Sequence, residues 1–424
     1  DNLKIRLSYG SLGNQQIGYY DFIQTITTKG SMSDYSFDGT VLGQHATVSD
    51  PVSGDQTWEK VVSKNLGLDL NMFNNRLSLT TDFYIRDTKG ILGKGKSLPS
   101  IYGASEPQMN ANNLRTKGYE LVLGWRDSFK LAGSTFSYGI TGTFSDYTAE
   151  YTKCDNPTGL IGDPYVGKKY GEIWGYKVDG LFRNDKEAAE YASRIDLSTV
   201  ASGYYTATGA YGKGVRGGDI KYLDLNGDNI VNGGKGTLDD PGDRRVIGNS
   251  SPRYQYGASL NFSWYGFDVS VFVQGIGRLD WYPGADNLRF WGPYCRPYAT
   301  FVPKNFMSQV WSEENPDAYF PRARAYTSLN SNSGTAYYTN DRYLQNLAYC
   351  RLKNLTIGYT IPRRLTSKVG IKECRIYFSG ENLATWSALK SDFLDPEQAA
   401  ADSDKKANVY PWCKTYSIGL NLTF

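Results

Sequence analysis

The sequence predicts an all-β fold, a transmembrane antiparallel β-barrel of about ten strands, and three observations carry that prediction. Apolar residues recur with a period of two over many separate segments. The connections between those segments alternate short and long. Tyr is in excess, at 34 of 424 residues beside 46 Gly, 4 Met and 1 His, and mean hydropathy is −0.49. No run of apolar residues reaches the ~18 that a membrane helix needs, which excludes a helical membrane protein. A barrel stays open, because its strands are apolar on one face only.

In chain order, the first segment sets Leu3, Ile5, Leu7 and Tyr9 against Lys4, Arg6 and Ser8. Leu66, Leu68, Leu70 and Met72 follow, opposed by Asn65, Gly67, Asp69 and Asn71, and then comes a turn at Asn74-Asn75. Leu77, Leu79, Thr81, Phe83 and Ile85 form the third face, and Tyr119, Leu121, Leu123 and Trp125 the fourth. The fifth is Phe136, Tyr138, Ile140 and Phe144. The pattern resumes at Tyr254, Tyr256, Ala258, Leu260, Phe262 and Trp264, turns at Tyr265-Gly266, and continues with Phe267, Val269, Val271 and Val273. Segments 347–359 and 374–382 alternate less strictly. The last strand sets Tyr416, Ile418, Leu420, Leu422 and Phe424 against Thr415, Ser417, Gly419, Asn421 and Thr423.

These segments run to about 9–14 residues, longer than most strands of soluble domains, and about 9–11 tilted residues span a bilayer. The long connections fall at 11–57, 91–114, 149–252, 279–345 and 384–414, with short ones near Asn74, at 128–134, at Tyr265 and at 361–373. Such alternation is expected when one rim faces the periplasm and the other the outside. A soluble sandwich has no reason to show it. The long connections are read as extracellular loops. The chain opens directly into a strand at Asp1 with no Met and no leader, which reads as a processed, truncated or divided polypeptide.

With those residues in view, the chain resembles the SusC/RagA family of TonB-dependent outer-membrane transporters along nearly its whole length. The resemblance rests on Leu7-Ser8-Tyr9-Gly10 with Gly13-Asn14-Gln15 and Ile17-Gly18, and on Arg115-Thr116-Lys117-Gly118-Tyr119-Glu120-Leu121. It continues in Trp311-Ser312-Glu313-Glu314-Asn315-Pro316, in Arg351-Leu352-Lys353-Asn354-Leu355 through Gly358-Tyr359-Thr360-Ile361-Pro362, and in Ser379-Gly380-Glu381-Asn382-Leu383. The terminal aromatic Phe424 resembles the signal read by barrel-assembly machinery. The resemblance implies a plugged barrel of the 22-strand class, of which this chain would be the C-terminal part. It implies active import of an oligosaccharide, a peptide or another bulky nutrient in the outer membrane of a Gram-negative cell. The implied partners are a SusD-like surface lipoprotein, TonB acting through the missing N-terminal region, the rest of the barrel and plug, and outer-membrane lipid including lipopolysaccharide.

The sharpest local motif is Asp224-Leu225-Asn226-Gly227-Asp228-Asn229-Ile230. Oxygen side chains at relative positions 1, 3 and 5 and a backbone carbonyl at 7 match the first half of an EF-hand loop, which makes Asp224, Asn226, Asp228 and Ile230 candidate ligands for Ca²⁺ or Mg²⁺. Asn229 stands where Gly is usual, and Lys235 at position 12 cannot coordinate a cation. By the family resemblance the closing carboxylate is Asp243, in Asp243-Arg244 ahead of Val246-Ile247-Gly248, with Gly233–Gly242 inserted before it. The competing reading is an Asx-rich turn.

Trp281, Tyr282, Trp291, Tyr294 and Tyr298 crowd one connection. Rings on an outer rim can stack on sugars or anchor a partner; their plainer role is to pack the loop or join the interfacial aromatic belt. Arg6, Asp69, Asp82, Glu120 and Asp268 fall on the polar face, where they can meet a plug or simply solvate the interior. Of the five cysteines, Cys350 and Cys374 lie in neighbouring strands and are the candidate pair. His45 is the only His, and no paired-carboxylate pattern stands out, so the sequence supports no catalytic site. The 46 basic and 43 acidic residues leave +3, with no electrostatic footprint for nucleic acid. A passive porin or adhesin barrel and a secreted glycan-binding β protein or glycosidase remain as alternatives.

Overall fold

Ten strands form one antiparallel sheet in which each strand pairs with the next long strand in sequence. They are β1 (Asn2–Asn14), β2 (Glu59–Met72), β3 (Leu77–Lys94), β4 (Gln108–Leu131) and β5 (Ser134–Lys153). The second half comprises β6 (Arg253–Trp264), β7 (Phe267–Arg278), β8 (Tyr349–Thr360), β9 (Glu373–Ser387) and β10 (Thr415–Thr423). The structure is a computed structural model. It describes the chain apart from residues 15–22, 30–35, 38–39, 42–44, 55, 95–98, 100, 102, 207–213, 296–301, 303, 325–328, 330–335, 392 and 402–409.

The tight turns explain how the sheet keeps its register. Ala132 and Gly133 join β4 to β5 with φ of +48° and +85°, and Tyr265 and Gly266 join β6 to β7 with +50° and +84°. Two successive positive φ angles give the hairpin turn whose twist matches that of the strands. Between β2 and β3, Phe73, Asn74 and Asn75 all take left-handed conformations, which Asn accepts more readily than most residues. These turns and segment 361–372 lie at one rim, and the long connections all leave the other.

Several strands outrun the alternation that marks them in the sequence. β3 continues to Lys94 and β4 starts at Gln108, so the expected connection at 91–114 shrinks to 95–107. β5 likewise runs on to Lys153. Their outer portions are paired but carry charges in place of the apolar series, which is why the period does not reveal them. The weaker alternation in the eighth and ninth segments has a mechanical cause: the register shifts between Leu352 and Asn354 against both neighbouring strands. A bulge of this kind moves following residues to the opposite face.

One face of the sheet is uncovered. Leu7, Leu66, Phe83 and Tyr119 stand directly opposite one another across β1–β4. Ile140, Leu260, Val271 and Leu355 do the same across β5–β8. Leu7 is 80% exposed, Phe83 54% and Ile418 84%, and among the described residues no second layer packs on them. A soluble sandwich would bury this face at about 1.5–3 kcal/mol per large side chain. The buried apolar core lies instead within the long connections, from Tyr176 to Val231, from Trp281 to Leu347 and at Leu394 and Ala399. β1 and β10 are sheet edges, each paired on one side.

The face assignment has a direct test. Leu260→Arg, near mid-strand on the apolar face, should cost about 2–4 kcal/mol of barrel stability, whereas Asn261→Arg on the other face should cost little. Urea unfolding of the protein in lipid vesicles, followed by heat-modifiable gel mobility, measures both. Equal effects would place hydrocarbon on neither face.

Candidate functional site

The opposite, polar face is built from side chains that lie flat along the wall. Arg6 donates through Nε and Nη2 to Asp69 at 2.9 and 3.0 Å, and through Nη1 and Nη2 to Asp82 at 2.9 Å each. To reach both carboxylates it crosses Gly67, its cross-strand partner, where a Cβ would sit 2.5 Å from the guanidinium carbon. Any side chain at 67 would displace Arg6. The same arrangement recurs at Gly358, which lies under the bond from Arg375 to Asp268 (2.9 and 2.5 Å). Half-exposed pairs of this kind contribute only about 0–1 kcal/mol each, so their effect is on shape and charge more than on stability. Glu120 stands next to Asp82 in the ladder and has no side-chain partner among the described residues. Of the five polar-face charges read from the sequence, three meet in one cluster and Asp268 pairs with Arg375.

A second cluster ties the last long connection to the wall. Arg351 of β8, 2% exposed, donates to both oxygens of Asp395 at 2.8 and 2.7 Å, to Glu397 at 2.7 Å and to the Thr385 hydroxyl at 2.9 Å. Lys353 reaches Glu397 at 2.7 and 2.8 Å. The partners are separated by more than forty residues in sequence, and no local pattern announces them.

The connections between β5 and β6 and between β7 and β8 fold into a common body. Trp281, Tyr282, Trp291 and Tyr294 are all buried in it, Trp291 completely. Trp291 packs edge-on to Phe290 at 4.8 Å and to Tyr343 at 5.0 Å, and donates its indole N–H to the Gly284 carbonyl. The Tyr294 hydroxyl donates to the Pro321 carbonyl at 2.5 Å, and Tyr282 donates to the Tyr338 carbonyl at 3.1 Å. These rings therefore hold the body together and present no open stacking platform, which corrects the reading of them as a binding rim. Large rings supply most of the apolar area there, and burial is their cheapest state. Tyr298 lies outside the described residues.

The same body contains a buried ion pair invisible in the sequence, since its members are 105 residues apart. Arg324 donates to Asp219 at 2.9 and 2.5 Å and stacks over Tyr204 at 4.1 Å. Burial pushes the Asp219 carboxyl up to about 6, and the charge of Arg324 pulls against that shift.

The acidic loop is closed by its own amides. Asp224 accepts the N–H groups of Gly227 and Asn229, Asn226 accepts that of Asp228, and Asp228 accepts that of Ile230. Asn229 takes φ +66°, the left-handed state for which it substitutes for Gly. Asp243 is fully buried, and both its oxygens accept backbone N–H groups, from Leu225 and Asn226 on one and from Asn232 on the other. Among the described residues no group of three His, Cys, Asp or Glu side chains gathers to hold a metal ion. Cys350 and Cys374 do not meet: Cys350 stands opposite Trp386 and Cys374 opposite Leu422, at different heights of the ladder.

No protein-family model matches the chain. Curated relatives span it end to end. Two proteins named TonB-dependent receptor from Formosa agariphila are 26% and 27% identical over 99% and 100% of this chain. The TonB-dependent receptor SusC of Bacteroides thetaiotaomicron is 22% identical over 100% of it. The chain is a homologue of the SusC-type TonB-dependent receptors. It spans 39% and 40% of the length of the two Formosa receptors. The SusC-type barrel wall is also its fold: the structure of the RagAB peptide transporter matches all of this chain over 41% of its own, with a TM-score of 0.67 at 21% identity. The RagAB importer in its closed-closed state gives a TM-score of 0.66 at 22% identity.

Replacing Arg351 by Met should free segment 394–398 from the wall and leave Asp395 without its partner, a loss of about 3–5 kcal/mol for a buried pair broken on one side. Limited proteolysis should then cut within 388–414 at least tenfold faster while the barrel stays heat-modifiable. An unchanged cutting rate would mean that Arg351 does not anchor the connection.

Proposed function

We propose that this chain is the C-terminal wall and loop body of an outer-membrane importer that takes up a bulky nutrient, an oligosaccharide or a peptide, in a TonB-driven cycle. The observation that carries the reading is an uncovered apolar face on a sheet whose opposite face is polar, in a chain related end to end to TonB-dependent receptors. The wall does no chemistry. It bounds a wide passage, and the loop body supplies the surface over which a SusD-like lipoprotein closes. TonB would act through regions of the protein beyond this chain. The test is uptake: cells lacking the gene should lose growth on the imported polymer and regain it with the intact gene, and co-purification from detergent should recover a surface lipoprotein. Uptake that persists without TonB would overturn the reading in favour of a passive barrel.

We infer in addition that the acidic loop takes a structural Ca²⁺. Its donor set is Asp224, Asn226, Asp228 and the Ile230 carbonyl, and the support is their spacing together with the left-handed bend at Asn229. Asp243, held on backbone amides as Asp224 is, stands behind the loop as its closing carboxylate. Chelation should raise proteolysis within 154–252 several-fold, and Asp224→Ala with Asp228→Ala should abolish the effect of added Ca²⁺. A loop equally resistant with and without chelator would reduce the motif to a set of Asx turns.

A further inference from the structure

The rings that crowd the connection between β7 and β8 are buried, but an open one stands at the loop-side end of β8–β10. Trp412, three residues before β10, is 49% exposed. Lys353 of β8 lies over one face of its indole, with Nζ 4.9 Å from the ring centroid. Lys353 is itself fixed, because Glu397 holds it at 2.7 and 2.8 Å. The backbone beside the ring is fixed too, since the Asn382 side chain donates to the Cys413 carbonyl at 3.2 Å. A ring clamped on one face and half-exposed overall leaves its other face to a ligand.

Hydrogen-bonding groups stand beside it on the polar face. Asn354, Glu381 and Thr415 occupy one row across β8, β9 and β10, and Thr415 begins the strand that Trp412 leads into. Glu381 is exposed and makes no ion pair or hydrogen bond among the described residues. Asn354 accepts the Thr356 hydroxyl at 3.2 Å, which leaves its amide N–H groups to donate. The other charges nearby cancel, Arg351 and Lys353 against Asp395 and Glu397. A ligand that fits lays an apolar face on the indole and offers hydroxyls to a carboxylate and an amide. A pyranose does both, because its C–H bonds form a flat apolar face and its hydroxyls project from the rim. A cationic side chain would find the ring's quadrupole already engaged by Lys353. An extended peptide would find no open ladder groups on β9, which is paired on both sides.

We propose that Trp412, Glu381 and Asn354 form a sugar subsite on the polar wall, which takes one pyranose of a neutral oligosaccharide with Trp412 as its platform. The inference rests on the importer reading above and narrows the cargo from a bulky nutrient to a glycan. The test is isothermal titration of the intact protein in detergent. The probes are neutral hexasaccharides of glucose, mannose, galactose and xylose in their common linkages, with tetralysine and tetraalanine as the peptide arm. At least one hexasaccharide should bind, and neither peptide should. Trp412→Ala and Glu381→Gln should each weaken that binding about tenfold, and Trp412→Tyr should retain most of it. All three variants should keep heat-modifiable mobility. Trp386→Ala, exposed on the opposite face of β9, should change nothing. Binding of tetralysine in preference to every sugar, binding of no sugar, or a Trp412→Ala variant equal to wild type would each overturn the subsite and leave the importer reading standing. Wild-type protein that does not insert into vesicles would instead overturn the importer reading and the subsite with it.

Discussion

The constraint on which the rest of the structure depends is that a polypeptide in hydrocarbon must satisfy every backbone polar group within itself. The ten-strand ladder does this for every strand but the two at its edges, by pairing each with the next in sequence. Once the ladder is fixed, each side chain has only two places to go. The sequence then sorts apolar residues outward and small, polar or paired residues inward, and a slip of one residue would exchange the two sets. Register is for this reason held by side-chain chemistry as much as by the hairpin turns at Ala132-Gly133 and Tyr265-Gly266.

The interior face shows how such a wall is kept clear. Arg6 over Gly67, Tyr84 over Gly118, Asp268 and Arg375 over Gly358 and Tyr377 over Gly419 follow one pattern, a long side chain laid across a cross-strand glycine. The glycine removes the bump that would force the longer residue into the passage. The long connections are built on a different principle. They carry their own core of rings and a buried Asp219–Arg324 pair, so they form a solid body rather than loose chain.

What was legible in the sequence follows from the range of the interactions. A period of two is local, and eight of the ten strands announce themselves strictly through it, as do the turns. The outer ends of β3, β4 and β5 do not, because paired backbone continues there without an apolar face to mark it. The bulge at Leu352–Asn354 blurred β8 and β9, and Cys350 and Cys374, in neighbouring strands, turn out to sit at different heights. Arg351, Arg324 and Arg375 find their acids far along the chain, so no spacing rule could have named them. The ring-rich segment was visible as composition, but whether rings face solvent or one another is decided only by the surrounding fold.

β4 has 24 residues, which at about 3.3 Å each and a tilt near 40° rises roughly 60 Å along the barrel axis. The greasy band of such a barrel is only about 25 Å tall. On the proposed membrane reading, more than half of this strand would stand with its neighbours as a stiff palisade outside the bilayer. A partner docking on the loop body would then be carried at that height, well clear of the lipid surface.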